Sequence, residues 1–112
     1  MTRNDVIRLI DDLDGAVNNG GFDQYFFNST GDEVSLLLQA LETVDAKAVI
    51  PIVLRACGKF PGGMPPADRK ARMTMLVEPI GPKMDFDAED DEYYAVAEEL
   101  RTLLRQYKER TK

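Results

Sequence analysis

Tyr93, Val96, Ala97, Leu100, Leu103, Leu104 and Tyr107 follow one another at steps of three and four, which sets all of them on one face of a helix. The same spacing links Val6, Ile10, Leu13 and Val17, and again Val34, Leu37, Leu38, Leu41 and Val44. No segment alternates apolar and polar residues over the length of a strand, and there is no internal repeat or low-complexity tract. Stripes of this kind are buried only against one another. The expected fold is therefore all-α, a single compact domain of five or six helices over residues 1–112. That length suits one domain and is short for two. With 44 % hydrophobic and 30 % charged residues, the chain can bury a core without covalent staples.

Local signals place the breaks. Thr2 with Asp5 is a capping signal, and Gly20 and Gly21 are expected to end the first helix. Phe22, Tyr25, Phe26 and Phe27 then crowd together, Phe22 and Phe26 sharing a face in one short helical turn. Thr30 and Glu33 read as a capping box for the next helix, and Asp45 as the cap of a third carrying Val49, Ile52, Val53 and Ala56 inward. Pro51 requires that helix to start near Ile50 or to bend there. Residues 58–66 hold three glycines and three prolines and read as a loop. Pro66 suits the first turn of a helix through Ala71, Met75 and Leu76, Pro79, Gly81 and Pro82 break the chain again, and Asp87 is placed to cap the last helix.

Much chemistry is excluded by composition. Without histidine there is no Ser-His-Asp or Cys-His arrangement and no ordinary zinc site. Cys57 stands among Val53, Leu54, Ala56 and Phe60, as a small apolar core residue would, and as the one cysteine it has no internal disulfide partner. No phosphate loop, dinucleotide fingerprint or nucleophile elbow is present. Asp85, Asp87, Glu89 and Asp91 alternate like calcium-loop ligands. The sixth position of such a loop is Asp90 rather than glycine, and the twelfth is Val96 rather than glutamate, so the match fails. The reading is no catalytic residue, no metal and no cofactor. The first residues lack the apolar run of a signal peptide, and no apolar run is long enough to span a membrane, so a cytoplasmic protein is expected.

Charge is distributed unevenly around a net of −6. Residues 1–46 carry nine acids and two bases, residues 47–83 two acids and seven bases, residues 84–99 eight acids and no base, and residues 100–112 one acid and five bases. An acidic chain is a poor ligand for nucleic-acid backbone and a fair one for a basic protein. The candidate partner-binding acids are Asp85, Asp87, Glu89, Asp90, Asp91 and Glu92, with Asp11, Asp12 and Asp14 as a second patch. Acids opening a helix and bases closing it also complement its dipole, at roughly 0.3–1 kcal/mol each. The run from Asp87 to Glu92, with Arg101, Arg105, Lys108 and Arg110 beyond, fits a plain solvated helix as well.

Residues 18–32, with Asn18-Asn19-Gly20-Gly21-Phe22 running into Gln24-Tyr25-Phe26-Phe27-Asn28 and then Thr30-Gly31-Asp32, resemble the signature of the domain found in the C-terminal part of bacterial DNA-mimic proteins. The likeness continues through Ala40-Leu41-Glu42 and Asp45-Ala46-Lys47-Ala48, and more weakly through Phe86-Asp87 and Tyr93-Tyr94. The resemblance implies an all-helical, DNA-mimic-like domain. It also implies a dimer whose surface charge imitates duplex DNA and occupies the DNA-binding face of a transcription factor. In this signature Gly20, Gly21, Phe22, Gln24, Tyr25, Phe26, Asn28 and Gly31 are expected to be structural. Gly20 and Gly21 give a tight helix exit, Phe22, Tyr25 and Phe26 fill core volume, and the Gln24 and Asn28 side chains bond backbone groups left free at helix ends.

The function expected first is a non-catalytic protein-binding module, such as a regulator or an antitoxin-like partner. One alternative is a DNA mimic that covers the DNA-binding face of a basic protein. A second is a small-ligand-binding domain, with the aromatic and amide signature as its pocket, or an enzyme working with carboxylates. The partner is read as a protein, with no direct nucleic acid and no membrane, and a homodimer fits the resemblance.

Overall fold

The computed structural model describes residues 1–78 and 83–112, and the break expected at Pro79, Gly81 and Pro82 lies outside them. Five α-helices make up the described fold: α1 (Arg3–Phe27), α2 (Val34–Thr43), α3 (Ile50–Gly58), α4 (Arg69–Val77) and α5 (Asp87–Arg110). Short 3-10 turns lie at Ser29–Glu33 and Pro61–Gly63, and the described residues contain no strand. The fold is all-α.

α1 begins where its sequence says it should. The Thr2 hydroxyl accepts from the Asp5 N–H and the Asp5 carboxylate accepts from the Thr2 N–H, a reciprocal cap. Helical geometry fails at Gly20 and Gly21, where Gly21 takes φ +75°, and resumes at Phe22. The two glycines therefore kink the helix, and the aromatic turn Phe22–Phe27 continues it in a new direction. No tertiary signal in the sequence distinguished a kink from an end.

Three predicted caps belong elsewhere. The Thr30 hydroxyl donates to the Tyr25 carbonyl at 2.7 Å instead of capping α2, which has no side-chain cap. Asp45 sits at φ 62° in the tight turn after α2, and α3 starts at Ile50 with Pro51 in its first turn, where a missing N–H costs nothing. At α5 it is the Asp85 carboxylate that accepts the Asp87 N–H, at 2.8 Å. α4 likewise starts after Pro66, capped by Asp68.

The core is one contiguous cluster in which α1 packs against α2, α4 and α5, and α3 against α2 and α5. α1 contributes Val6, Leu9, Ile10, Leu13 and Val17, α2 Leu37 and Leu41, and α5 Tyr93, Ala97, Leu100 and Leu104, all buried. Phe26 lies at the centre of an aromatic group. Its ring centroid is 5.0 Å from Phe60, 5.4 Å from Tyr25, 5.6 Å from Phe86 and 6.2 Å from Phe22. The chain ends are tied together, since the Arg3 guanidinium donates to the Thr111 hydroxyl and to the Lys108 carbonyl.

Candidate functional site

The signature segment is held by a residue outside it. Arg72 of α4 is wholly buried. Its Nε donates to the Phe26 carbonyl at 2.9 Å, Nη1 to the carbonyls of Pro66 and Ala67 at 3.0 and 2.9 Å, and Nη2 to the Asn28 carbonyl at 3.0 Å and the Asp32 carboxylate at 2.6 Å. Four of these five acceptors are carbonyls that the chain leaves free where α1 ends and where it approaches α4. Gly31 lies against this knot. A Cβ there would stand 2.8 Å from Arg72 Nε and 3.0 Å from Phe26 Cα. The signature polars act differently from expectation. Gln24 accepts from the Asn19 side chain at 2.8 Å rather than bonding backbone, and Asn28 contributes its backbone, giving its N–H to the Gln24 carbonyl and its carbonyl to Arg72.

A second polar cluster ties α1 to α5. The Asp14 carboxylate accepts from the Tyr93 hydroxyl at 2.5 Å, from Arg101 Nε at 2.9 Å and from the Asn18 amide at 2.9 Å. Burial pushes the Asp14 carboxyl upward, but the hydrogen bonds from Arg101 and Tyr93 and the Arg101 charge outweigh it and hold the group below its ordinary value. A lowered folded pKa means stability that is present above the unfolded value, about 3.9, and lost as pH falls toward the folded one. Asp14→Asn is accordingly expected to cost about 1–3 kcal/mol at neutral pH, toward the lower end because Arg101 is partly exposed. In denaturant titrations the gap to wild type should close as pH drops below about 4. A gap that persists unchanged at acid pH would show that the carboxylate charge is not the stabilising feature.

The structure sorts the nine candidate acids into two groups. Glu89 is buried with the Lys59 ammonium 2.6 Å away, and Glu92 pairs with Arg55, so both tie α5 to α3 and its end. Asp12 pairs with Arg8, which also grips Glu33, and Asp14 is committed to Arg101. Four members of the α5 run, Asp85, Asp87, Asp90 and Asp91, and Asp11 on α1 have no ion-pair partner among the described residues. Asp85 caps α5 and Asp90 accepts the Phe22 N–H at 2.8 Å, while Asp11, Asp87 and Asp91 project into solvent.

Three of the five unpaired candidate acids gather at the kink. Asp85, Asp87 and Asp90 line a cleft of about 480 Å³ together with Gly20, Asp23, Lys83, Met84 and Phe86. Asp23 enters this group from α1, and nothing in the spacing of the sequence joins it to residues more than sixty positions away. One turn beyond Asp90 on α5, Tyr94 is 48 % exposed, and its hydroxyl donates to the Val17 carbonyl at 3.0 Å, which fixes the ring across α1.

Cys57 is buried in the core, and burial pushes its thiol up to about 11, far from the reactive thiolate range. No helix among the described residues is long and apolar enough to cross a membrane. No curated protein and no solved structure matches the chain. A family model described as DMP19-like protein matches residues 4–111, which takes in the kinked aromatic signature, the Arg72 knot and the acidic start of α5. The chain belongs to the DMP19-like protein family.

Proposed function

We propose that this chain is a non-catalytic protein-binding domain that takes a basic partner on the acidic edge where the α1 kink meets the start of α5. The observation that carries the reading is the sorting of charge. Bases of the 47–83 segment neutralise Glu89 and Glu92 from the α3 side. Asp23, Asp85, Asp87 and Asp90 are left around the cleft at the helix start, with Asp91 exposed next to Asp90 in sequence and Lys83 the one cation lining the cleft among the described residues. Tyr94 supplies a large ring already fixed by its hydroxyl bond, the kind of anchor that protein interfaces favour.

Family membership favours a finer version, in which the partner is a DNA-binding protein and the acids stand in for phosphates. Carboxylates three or four residues apart on a helix lie roughly 5–6 Å apart, the order of spacing that mimicry needs. One domain carrying −6 is sparser than a duplex with one charge per roughly 1.7 Å of axis, and a homodimer aligning two edges would narrow the difference.

The test replaces Asp23, Asp87 and Asp91, which are exposed and make no ion pair among the described residues, by asparagine. Asp90 and Glu92 are left alone because they hold the fold. Proteins captured from the native cell extract by wild type at low salt should be lost by the triple variant, and wild-type capture should weaken as salt rises, since exposed charges are screened over about 8 Å at physiological ionic strength. Equal capture by both proteins sinks the acidic-edge reading. Release of the captured protein by added duplex DNA supports the mimic version, and capture indifferent to duplex leaves the general protein-binding reading.

A further inference from the structure

We propose that Asp90 is a proton-operated clasp that joins the kink of α1 to the first turn of α5. The inference rests on the chain's own geometry and not on the partner reading. Where α1 resumes after Gly21, the Phe22 N–H opens a new helical stretch and has no acceptor within it. The Asp90 carboxylate reaches it across 68 positions of sequence, at 2.8 Å. The kink is shaped to this carboxylate. Gly21 stands at φ +75°, and a Cβ on it would lie 2.4 Å from Asp90 Oδ2, so the backbone closes onto the carboxylate in a way no side chain would allow.

The clasp is strained by its neighbours. Asp23 faces it from α1 and Asp87 and Asp91 from α5, with Asp85 and Lys83 around the same cleft. The acids of α5 that make ion pairs are Glu89, Glu92, Glu98 and Glu109, which leaves Asp90 without one among the described residues. Burial is the main force raising the Asp90 carboxyl above its ordinary value. The bond from the Phe22 N–H opposes it, and the charges of Asp87, Asp23 and Asp91 add to it. Protonation removes the repulsion and still leaves a carbonyl oxygen to accept from Phe22. A raised folded pKa fixes the sign: the closed contact is favoured below the ordinary aspartate range and loosens as pH rises through the raised value. This is the reverse of the Asp14 cluster on the same helix pair, which weakens toward acid.

The experiment is amide hydrogen exchange by NMR on the full chain, with the Asp90 carboxyl followed by its carbon shift. The protection factor at the Phe22 amide should fall several-fold as pH rises through the Asp90 titration, while that at Leu100 in the α5 interior stays level. Asp90→Asn keeps an oxygen acceptor without the charge and should hold Phe22 protection at its acid-side value throughout. Asp23→Asn leaves the hydrogen bond in place and should move the Asp90 titration to lower pH. Phe22 protection that is flat with pH in wild type, or that falls equally in Asp90→Asn, overturns the proposal. An Asp90 titration indifferent to Asp23→Asn overturns it as well. Unchanged Leu100 protection in each variant shows that the fold is intact.

Discussion

Arg72→Lys is expected to destabilise the fold by about 1–3 kcal/mol for each buried carbonyl that it leaves without a donor, although it preserves the charge. The guanidinium serves acceptors from three stretches of chain at once: Phe26 and Asn28 at the end of α1, Asp32 in the 3-10 turn, and Pro66 and Ala67 before α4. Its donors are fixed in a planar fork, whereas an ammonium on a flexible stem offers a single point and cannot span them. Each buried carbonyl left without a donor costs about 1–3 kcal/mol, less where water can follow. Since a domain of this size has only about 5–15 kcal/mol in total, Arg72→Ala should leave it at the margin of folding. Guanidinium titration of the lysine variant measures the effect. Wild-type stability in Arg72→Lys would mean that charge alone suffices and that the fork geometry is incidental.

Arg72 was invisible in the sequence for a physical reason. Arginine in a helix normally lies along the surface with its head in water, and residues 69–77 carry a weak apolar stripe. The one available signal was its register: Arg72 stands four residues before Leu76 and three before Met75, on the side that the stripe turns inward. Four of the five acceptors give no signal at all, because they are backbone carbonyls whose availability depends on where α1 ends and how the chain approaches α4. Gly31 is explained only after Arg72 is known.

The stripes themselves were legible, because burying an apolar face needs only the correct period. Val34, Leu37 and Leu41 on α2, and Tyr93, Ala97, Leu100, Leu104 and Tyr107 on α5, are buried as their spacing requires. Capping was less legible. A Thr or Asp near a helix start has several free N–H groups within reach, and tertiary geometry chooses among them, as Thr30, Asp45 and Asp85 show. The acidic run was visible as composition but not as a surface. Which of its members meet Arg55 and Lys59 depends on how α3 and the residues after it cross α5. Asp23 joins the cleft only because the chain bends at Gly20 and Gly21.

Phe26→Ala is expected to remove about 3–5 kcal/mol, the usual range for truncating a fully buried aromatic ring. The ring has no exposed surface and touches Phe22, Tyr25, Phe60 and Phe86, which come from α1, the turn after α3 and the approach to α5. Its loss would open a cavity where those elements converge, and the neighbours cannot collapse into it freely because the Phe26 carbonyl is pinned by Arg72. Phe26→Leu keeps most of the volume and should lose mainly the aromatic pairing, so its midpoint should fall between wild type and alanine. That order bears on what the signature is for. A ring lining a ligand pocket would have an open face, and its removal would cost binding before stability. If Phe26→Ala unfolds at the wild-type denaturant concentration, the ring is not a keystone of the core and the structural reading of Phe22, Tyr25 and Phe26 fails together with it. If the loss is graded through leucine, the aromatic turn serves the fold, and binding is left to the acidic edge that the kink beside it creates.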